Sequence, residues 1–465
     1  MSPQHDSMPA HAARLDADLP DPRTRWQTTF LALTAMLSST ILLKVASIQY
    51  LELLYLLQIV ILLVVFARRG YRVLWFRPFL RIGILYLFFA VVALVLTAAA
   101  LRYDFYVPLD VDPLKAPGFI AISRIVELIA DVSTMLYLAH IFRLHPGWLR
   151  FTMRIYFWTG TVSAVLSLIS YPFAVLGIAE LLTHQDAHRL KGFYGEGGPY
   201  GLYVLSLIVV GMILWRFDWE RPIPLRWGMA ALLVTLLLTR SKAGFVAAII
   251  LIAINTIVAA SLTQRLIVAA SGVVFLVAVF QVINLSGVLL SYTDIGATYE
   301  RASHFHSADA SFVYGRVAGL FIVPRMVAAH PLAGIGLGNY GYLRNDPQYR
   351  GAAVWVPESD DASLGVWDLT ADVGLPMFGV IILCLLQPFL CARRHRAPYY
   401  ISTLALLPLI VHLCGAQLNL TYPWVIASFA LGLIYAPLRT IRAAASTRAD
   451  WNLSLMTLHA GEHHA

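Results

Sequence analysis

Residues 291–361, SYTDIGATYERASHFHSADASFVYGRVAGLFIVPRMVAAHPLAGIGLGNYGYLRNDPQYRGAAVWVPESDD, form a long polar stretch between tracts of membrane-grade apolar sequence. Reading this stretch as a loop decides the fold. About nine apolar spans precede it and about three follow, each long enough to cross a bilayer. The stretch concentrates Arg301, His304, His306, Arg316 and Arg325 among Asp and Glu residues. A membrane protein with one large polar loop among short ones is expected to carry its chemistry there, together with polar groups on the neighbouring helix ends.

Working outward, the composition agrees. Of 465 residues, 59% are apolar and 13% charged, with a mean hydropathy of +0.71. No soluble globular domain of this length has that balance, so the fold class is all-α, a polytopic helical membrane protein. The apolar runs are continuous rather than alternating, so no outer-membrane barrel is implied. Met1–Arg25 carries acids and prolines before the first apolar run, unlike the order of a cleaved signal peptide.

The expected spans are approximately 27–43, 50–67, 80–102, 118–142, 150–180, 197–216, 225–240, 241–262, 265–290, 362–391, 398–417 and 421–440. The seventh and eighth are read either as two spans or as one broken or re-entrant pair. Residues 1–26 and 441–465 are then tails.

The net charge of +8 is explained by position. Loops after even-numbered spans carry Arg68, Arg69, Arg72 and Arg77; Arg143 and Arg150; Arg216, Arg221 and Arg226; Arg265; and Arg393, Arg394 and Arg396. Loops after odd-numbered spans carry Asp104, Asp110, Asp112 and Glu180. The positive-inside rule therefore puts both tails in the cytoplasm and residues 291–361 outside, in the periplasm of a Gram-negative cell. The charge calls for no nucleic-acid partner. Trp75, Trp148, Trp215, Trp219 and Trp424 lie near span ends and are expected in interfacial belts. Cys384, Cys391 and Cys414 offer neither a disulfide framework nor metal-ligand spacing, and no metal or cofactor is expected.

Three external segments carry candidate chemistry. In His188–Pro199, Arg189 and Lys191 precede a glycine-rich turn and a helix start, where free N–H groups and the helix dipole favour an anion. In Thr239–Gly244, Arg240 and Lys242 are cations at an external turn, against the positive-inside trend; an anionic lipid or phosphate would account for them. The third segment contains Arg316 and Arg325, a helix over Val317–Ala329 ended by His330-Pro331, and a turn with Gly334, Gly336 and Gly338. That turn is neither a Rossmann fingerprint nor a Walker loop. Inside the fourth span, Arg124, Glu127 and Asp131 share one helix face, either as a structural ion pair or as an ion relay.

These segments, in this order, resemble the O-antigen ligase and O-antigen polymerase superfamily of bacterial inner-membrane proteins. The resemblance rests on Arg189–Pro199, the Ser-basic-x-Gly turn Ser241–Gly244, Gly315-Arg316, and above all His330-Pro331-Leu332-Ala333-Gly334-Ile335-Gly336-Leu337-Gly338-Asn339-Tyr340. A polar stretch then leads into Gly374-Leu375-Pro376, so the match covers roughly Arg189 to Phe378.

The resemblance implies a GT-C-like, metal-independent glycosyltransferase of about twelve spans. Its donor would be an undecaprenyl-diphosphate-linked oligosaccharide, and its acceptor a glycan or lipid A–core at the periplasmic face. A chain-length regulator is a possible partner besides the bilayer. Arg316 would stabilise the departing diphosphate, with Arg189, Lys191, Arg240, Lys242, Arg325 and His330 as donor- or glycan-binding residues. The ligase branch keeps a His before the span after the long loop, whereas this chain has Glu358-Ser359-Asp360-Asp361-Ala362-Ser363. Aligned on Gly374, Ser363 falls at the His position and a small shift brings Asp360 or Asp361 there. This favours a polymerase with Asp360 or Asp361 as base over a ligase. A transporter or flippase would call for symmetric halves, which nine spans, a loop and three spans do not provide.

Overall fold

The computed structural model describes residues 25–40, 44–45, 48–49, 53–60, 76–102, 116–176, 182–184, 189–194, 196–258, 318–350 and 365–436, with isolated positions 263, 266, 270 and 272. Arg316, Asp360, Asp361, Trp75 and most of the ninth expected span lie outside them. The protein is a helical membrane protein. Helices α1 (Arg25–Leu37) and α2 (53–60) are followed by α3 (Arg77–Ala100), α4 (Phe119–Leu144), α5 (Pro146–Val175) and α6 (Gly197–Arg216). Next come α7 (Pro222–Leu238), α8 (Lys242–Val258) and α9 (Ala318–Ala329). The short helices α10 (Tyr340–Leu343) and α11 (Pro347–Arg350) precede α12 (Leu369–Arg394), α13 (Tyr399–Leu413) and α14 (Tyr422–Tyr435). Two antiparallel ribbons interrupt them: β1 (Lys44–Val45) with β2 (Ile48–Gln49), and β3 (Thr183–His184) with β4 (Arg189–Leu190).

Among the described residues five helices, α3, α4, α5, α6 and α12, are long and apolar enough to cross a membrane. The expected seventh and eighth spans are two separate 17-residue helices, α7 and α8. Between them Arg240 takes a left-handed φ of 47°, a conformation uncommon outside glycine. Prolines start α3, α5, α7 and α14, where the missing N–H removes no intrahelical bond.

α14 is the centre of the bundle. It is buried over nearly its whole length, as an all-apolar helix must be, and packs on α4 and α13. Trp424 and Trp219, expected in interfacial belts, are both buried at 2% exposure. The Trp424 indole donates to the Leu418 carbonyl (2.9 Å), and Trp219 stacks on Phe217. Each ring found a partner inside the protein, which proximity to a span end could not reveal.

Helix direction separates two ends. At one, arginines tie neighbouring helix termini together: Arg143 lies 4.2 Å over Phe76, Arg150 donates to the Trp219 carbonyl (3.2 Å), Arg154 reaches Glu220 (2.7 Å) and Arg216 lies over Tyr400. At the other end, the C-termini of α3 and α13 meet the N-termini of α4, α12 and α14 beside the glycine-rich turns.

Candidate functional site

Two groups of residues form the glycine-rich end. The first joins the segments around Arg189 and Ser241. β3 and β4 pair His184 with Arg189, and the Lys191 N–H donates to the Leu182 carbonyl (3.0 Å). A 3-10 turn, Gly192–Tyr194, then leads to the start of α6. The Ser241 hydroxyl donates to the Gly198 carbonyl (3.1 Å) and accepts from the Gly244 N–H (2.9 Å), locking α8 to α6. Gly201 and Gly244 permit this approach; a Cβ on Gly201 would stand 2.4 Å from Ser241. A Cβ on Gly197 would lie 3.0 Å from both the Leu190 and Thr239 carbonyls and 3.5 Å from the Arg189 side chain. Arg189 and the Thr239–Lys242 turn therefore flank one helix N-terminus. The buried Nε of Arg189 has no hydrogen-bond partner among the described residues, while Arg240 and Lys242 are exposed.

A buried tyrosine cluster supports this group. Tyr194 stacks on Tyr203 at 5.0 Å and meets Tyr422 edge-on, and its hydroxyl donates to the Ser38 carbonyl. Burial, then the neighbouring tyrosines, push the Tyr194 phenol well above its ordinary pKa, so it stays a donor.

The second group is the turn after α9. The expected helix runs Ala318–Ala329 and ends at His330-Pro331. The turn then pairs with the first residues of α12 through the main chain. Ile335 N–H donates to the Ala371 carbonyl (2.9 Å), Gly336 N–H to the Asp372 carbonyl (2.8 Å), and Leu375 N–H to the Pro331 carbonyl (2.9 Å). Gly334 and Gly374 both have positive φ, and a Cβ on either would lie within 2.5 Å of a carbonyl oxygen across the pair. Gly374 (φ 75°, ψ 167°) breaks α12 and lets its first turn act as the partner.

Asp372, which sequence reasoning missed, clamps this turn. Its Oδ2 accepts the Gly338 N–H (2.8 Å) and its Oδ1 the Tyr340 N–H (3.0 Å). Leu337 N–H donates to Thr97 Oγ1 of α3 (2.9 Å), fixing the turn on a second helix. A carboxylate just inside an apolar span was the available signal, since such a charge needs partners.

The remaining sequence candidates divide. Arg325 donates from Nη1 to the Tyr349 (3.1 Å) and Arg350 (3.0 Å) carbonyls, and His330 Nε2 meets the Tyr349 hydroxyl at 2.8 Å. Both hold α11 against α9 beside a small cluster around Met326 and Tyr349. The segments that carry Arg189, Lys191, Arg240 and Lys242 meet at the start of α6; Arg325 and His330 belong to this separate unit. Within α4, Arg124 and Glu127 pair at 3.6 Å as the shared face predicted, and Asp131 is fully buried.

Between α3, α4, the glycine-rich turn, the start of α12 and the loop after α13 lies a cavity of about 80 Å³. Arg124, Asp368, Asp372, Tyr340, Gln417 and Asn419 supply its polar lining. Burial and the Asp368 charge raise the Tyr340 phenol pKa, Arg344 lowers it, and the balance leaves a protonated hydroxyl. No protein-family model matches the chain, and no curated protein is significantly similar to it.

Proposed function

We propose that the protein is a membrane-integral glycosyltransferase of about twelve spans in the bacterial inner membrane. It transfers an undecaprenyl-diphosphate-linked glycan to an acceptor sugar hydroxyl, as an O-antigen or exopolysaccharide polymerase. Arg189 is the observation that carries the reading. Its guanidinium is half-buried at the start of α6, its Nε has no partner among the described residues, and the Thr239–Lys242 turn adds cations beside it. Cationic segments meeting at a helix N-terminus suit a diphosphate, whose charge grows as the anomeric bond breaks. The arginine-tied helix ends lie opposite, as the positive-inside rule asks when the glycine-rich end faces the periplasm. Resemblance of the same segments to the O-antigen ligase and polymerase superfamily names the donor.

Electrophoresis of lipid-linked and surface glycan from a deletion strain tests the reaction. A polymerase leaves single repeat units on the carrier or final acceptor. Full-length polymer retained on undecaprenyl diphosphate, with bare lipid A–core, would replace this reading by a ligase. Cysteines introduced at Ala308 and Gly351 test the topology: both are expected to react with an impermeant thiol reagent on intact spheroplasts, and labelling only after lysis overturns it.

A further inference from the structure

The turn that follows Arg189 carries an inference that rests on the polymerase reading and deepens it. An arginine that meets a growing negative charge must be held in a fixed direction. The Arg189 side chain does not fix itself: its Nε is buried with no hydrogen-bond partner among the described residues. The backbone that carries it must therefore set its position. That backbone starts as a ribbon of two residues a strand, closed where the Leu182 carbonyl accepts the Lys191 and Gly192 N–H groups (3.0 and 3.2 Å). A ribbon of this size is marginal on its own.

Its continuation, the Gly192–Tyr194 turn, is fastened from outside. Thr40, just past α1, donates its hydroxyl to the Phe193 carbonyl (3.1 Å), and the Tyr194 hydroxyl donates back to the Ser38 carbonyl. The two bonds run in opposite directions between the same two segments. Ser38 follows the last residue of α1, where carbonyls lack intrahelical donors, and Tyr194 supplies one. Rings of α6 and α14 complete the seat. Tyr194 is 1% exposed among Tyr200, Tyr203 and Tyr422, and a Cβ on Gly192 would stand 2.5 Å from the Tyr200 ring. The turn so held joins Arg189 to the start of α6, which the Arg189 side chain approaches at Gly197.

We propose that Tyr194 and Thr40 are positioning residues for Arg189: their two hydroxyls tie the turn to the end of α1 and so keep the guanidinium on the departing diphosphate. Tyr194 is too buried to touch substrate, and both residues act through Arg189.

Full-length protein in nanodiscs, supplied with lipid-linked repeat units from the deletion strain and preformed chain as acceptor, provides the test. Tyr194→Phe and Thr40→Val each remove one hydroxyl at nearly constant shape. Each should lower kcat roughly tenfold, with the donor KM within about twofold of wild type, since the lost contact belongs to the transition state. Thr40→Ser keeps the hydroxyl and should recover most of the rate. Tyr156 lies in the same tyrosine cluster, but its hydroxyl pairs with Ser206 (2.8 Å) instead of the turn, so Tyr156→Phe should leave the rate near wild type. In an Arg189→Ala background, Tyr194→Phe and Thr40→Val should cost no more than about twofold further, because the group they position is gone. Thr40→Val keeps the test valid if Tyr194→Phe misfolds. Either of the two, folded, within about threefold of wild type overturns the proposal. So does a loss as large without Arg189 as with it, or an equal loss in Tyr156→Phe. No elongation by the wild type overturns the polymerase reading itself, and this inference with it.

Discussion

At one end of the bundle, long side chains do the joining: Arg143, Arg150, Arg154 and Arg216 reach across helix termini to rings, a carbonyl and a carboxylate. At the other, backbone meets backbone across glycines, with Asp372 and Ser241 as the fastening side chains. The difference is one of tolerance. A flexible arginine that is exposed, as Arg154 and Arg216 are, finds water or another partner when it loses one, so such contacts contribute little. A main-chain pairing at a left-handed glycine has no such freedom, and a single methyl disrupts it. The rigid end is therefore the one suited to hold reacting groups in fixed geometry.

The largest contrast should appear in activity. Arg189→Ala is expected to lower chain growth at least ~10²-fold, the usual cost of removing a donor from a developing anion. Arg189→Lys should recover only part, because it lacks the planar fork. Arg154→Ala, at the opposite end, should leave polymer length and amount near wild type on the same gels. Equal losses in both would erase the distinction between the ends.

Stability gives the next contrast. Gly334→Ala puts a Cβ 2.3 Å from the Asp372 carbonyl at φ +66°, so a loss of about 3 kcal/mol is expected in detergent unfolding. Gly379→Ala, in the same helix that Gly334 packs against, has open space around its Cβ and should be neutral or stabilising by up to ~1 kcal/mol. A tolerated Gly334→Ala would mean the turn is not held as described.

Arg325→Ala sharpens the comparison within the glycine-rich end. Its two bonds to the Tyr349 and Arg350 carbonyls are worth about 1 kcal/mol, and polymer should persist. Polymer lost from a folded Arg325→Ala would return this residue to the substrate site.

The smallest effect is expected at Glu220. Burial pushes its carboxyl up, but hydrogen bonds from the Trp158 indole, the Arg221 N–H and Arg154 outweigh that and hold it below its ordinary value of 4.5. The carboxylate thus contributes stability above about pH 4.5, lost as pH falls through the lower folded-state value. Glu220→Gln should cost less than ~1 kcal/mol at neutral pH, and the gap to wild type should close in acid.

Apolar runs made most of the described helices legible, although α12 begins at Leu369 rather than 362, α1 ends at Leu37 rather than 43, and the short α10 and α11 offered no apolar run to read; His330-Pro331 marked the end of α9. The nearness of Arg189 and the Ser241 turn was legible only as two separate basic segments; both reach the start of α6 because Gly197, Gly201 and Gly244 let the chains approach there. The clamp made by Asp372 was not legible because the carboxylate sits where the apolar run of α12 begins and the N–H groups it holds lie 34 and 32 residues upstream. Arg325 was read toward substrate because nothing in sequence shows that α11 presents its last carbonyls to it, 24 and 25 residues on.

Gly374 has a consequence for how such a protein can diversify. By turning the first residues of α12 into a main-chain partner, it makes the frame of the cavity depend on peptide groups that every residue type possesses. Gln417 and Asn419 line the cavity from the loop after α13 and take no part in those main-chain bonds. They can be exchanged without unfastening the turn. The lining of the cavity can therefore change by one or two substitutions there while the pairing of turn and helix stays in register.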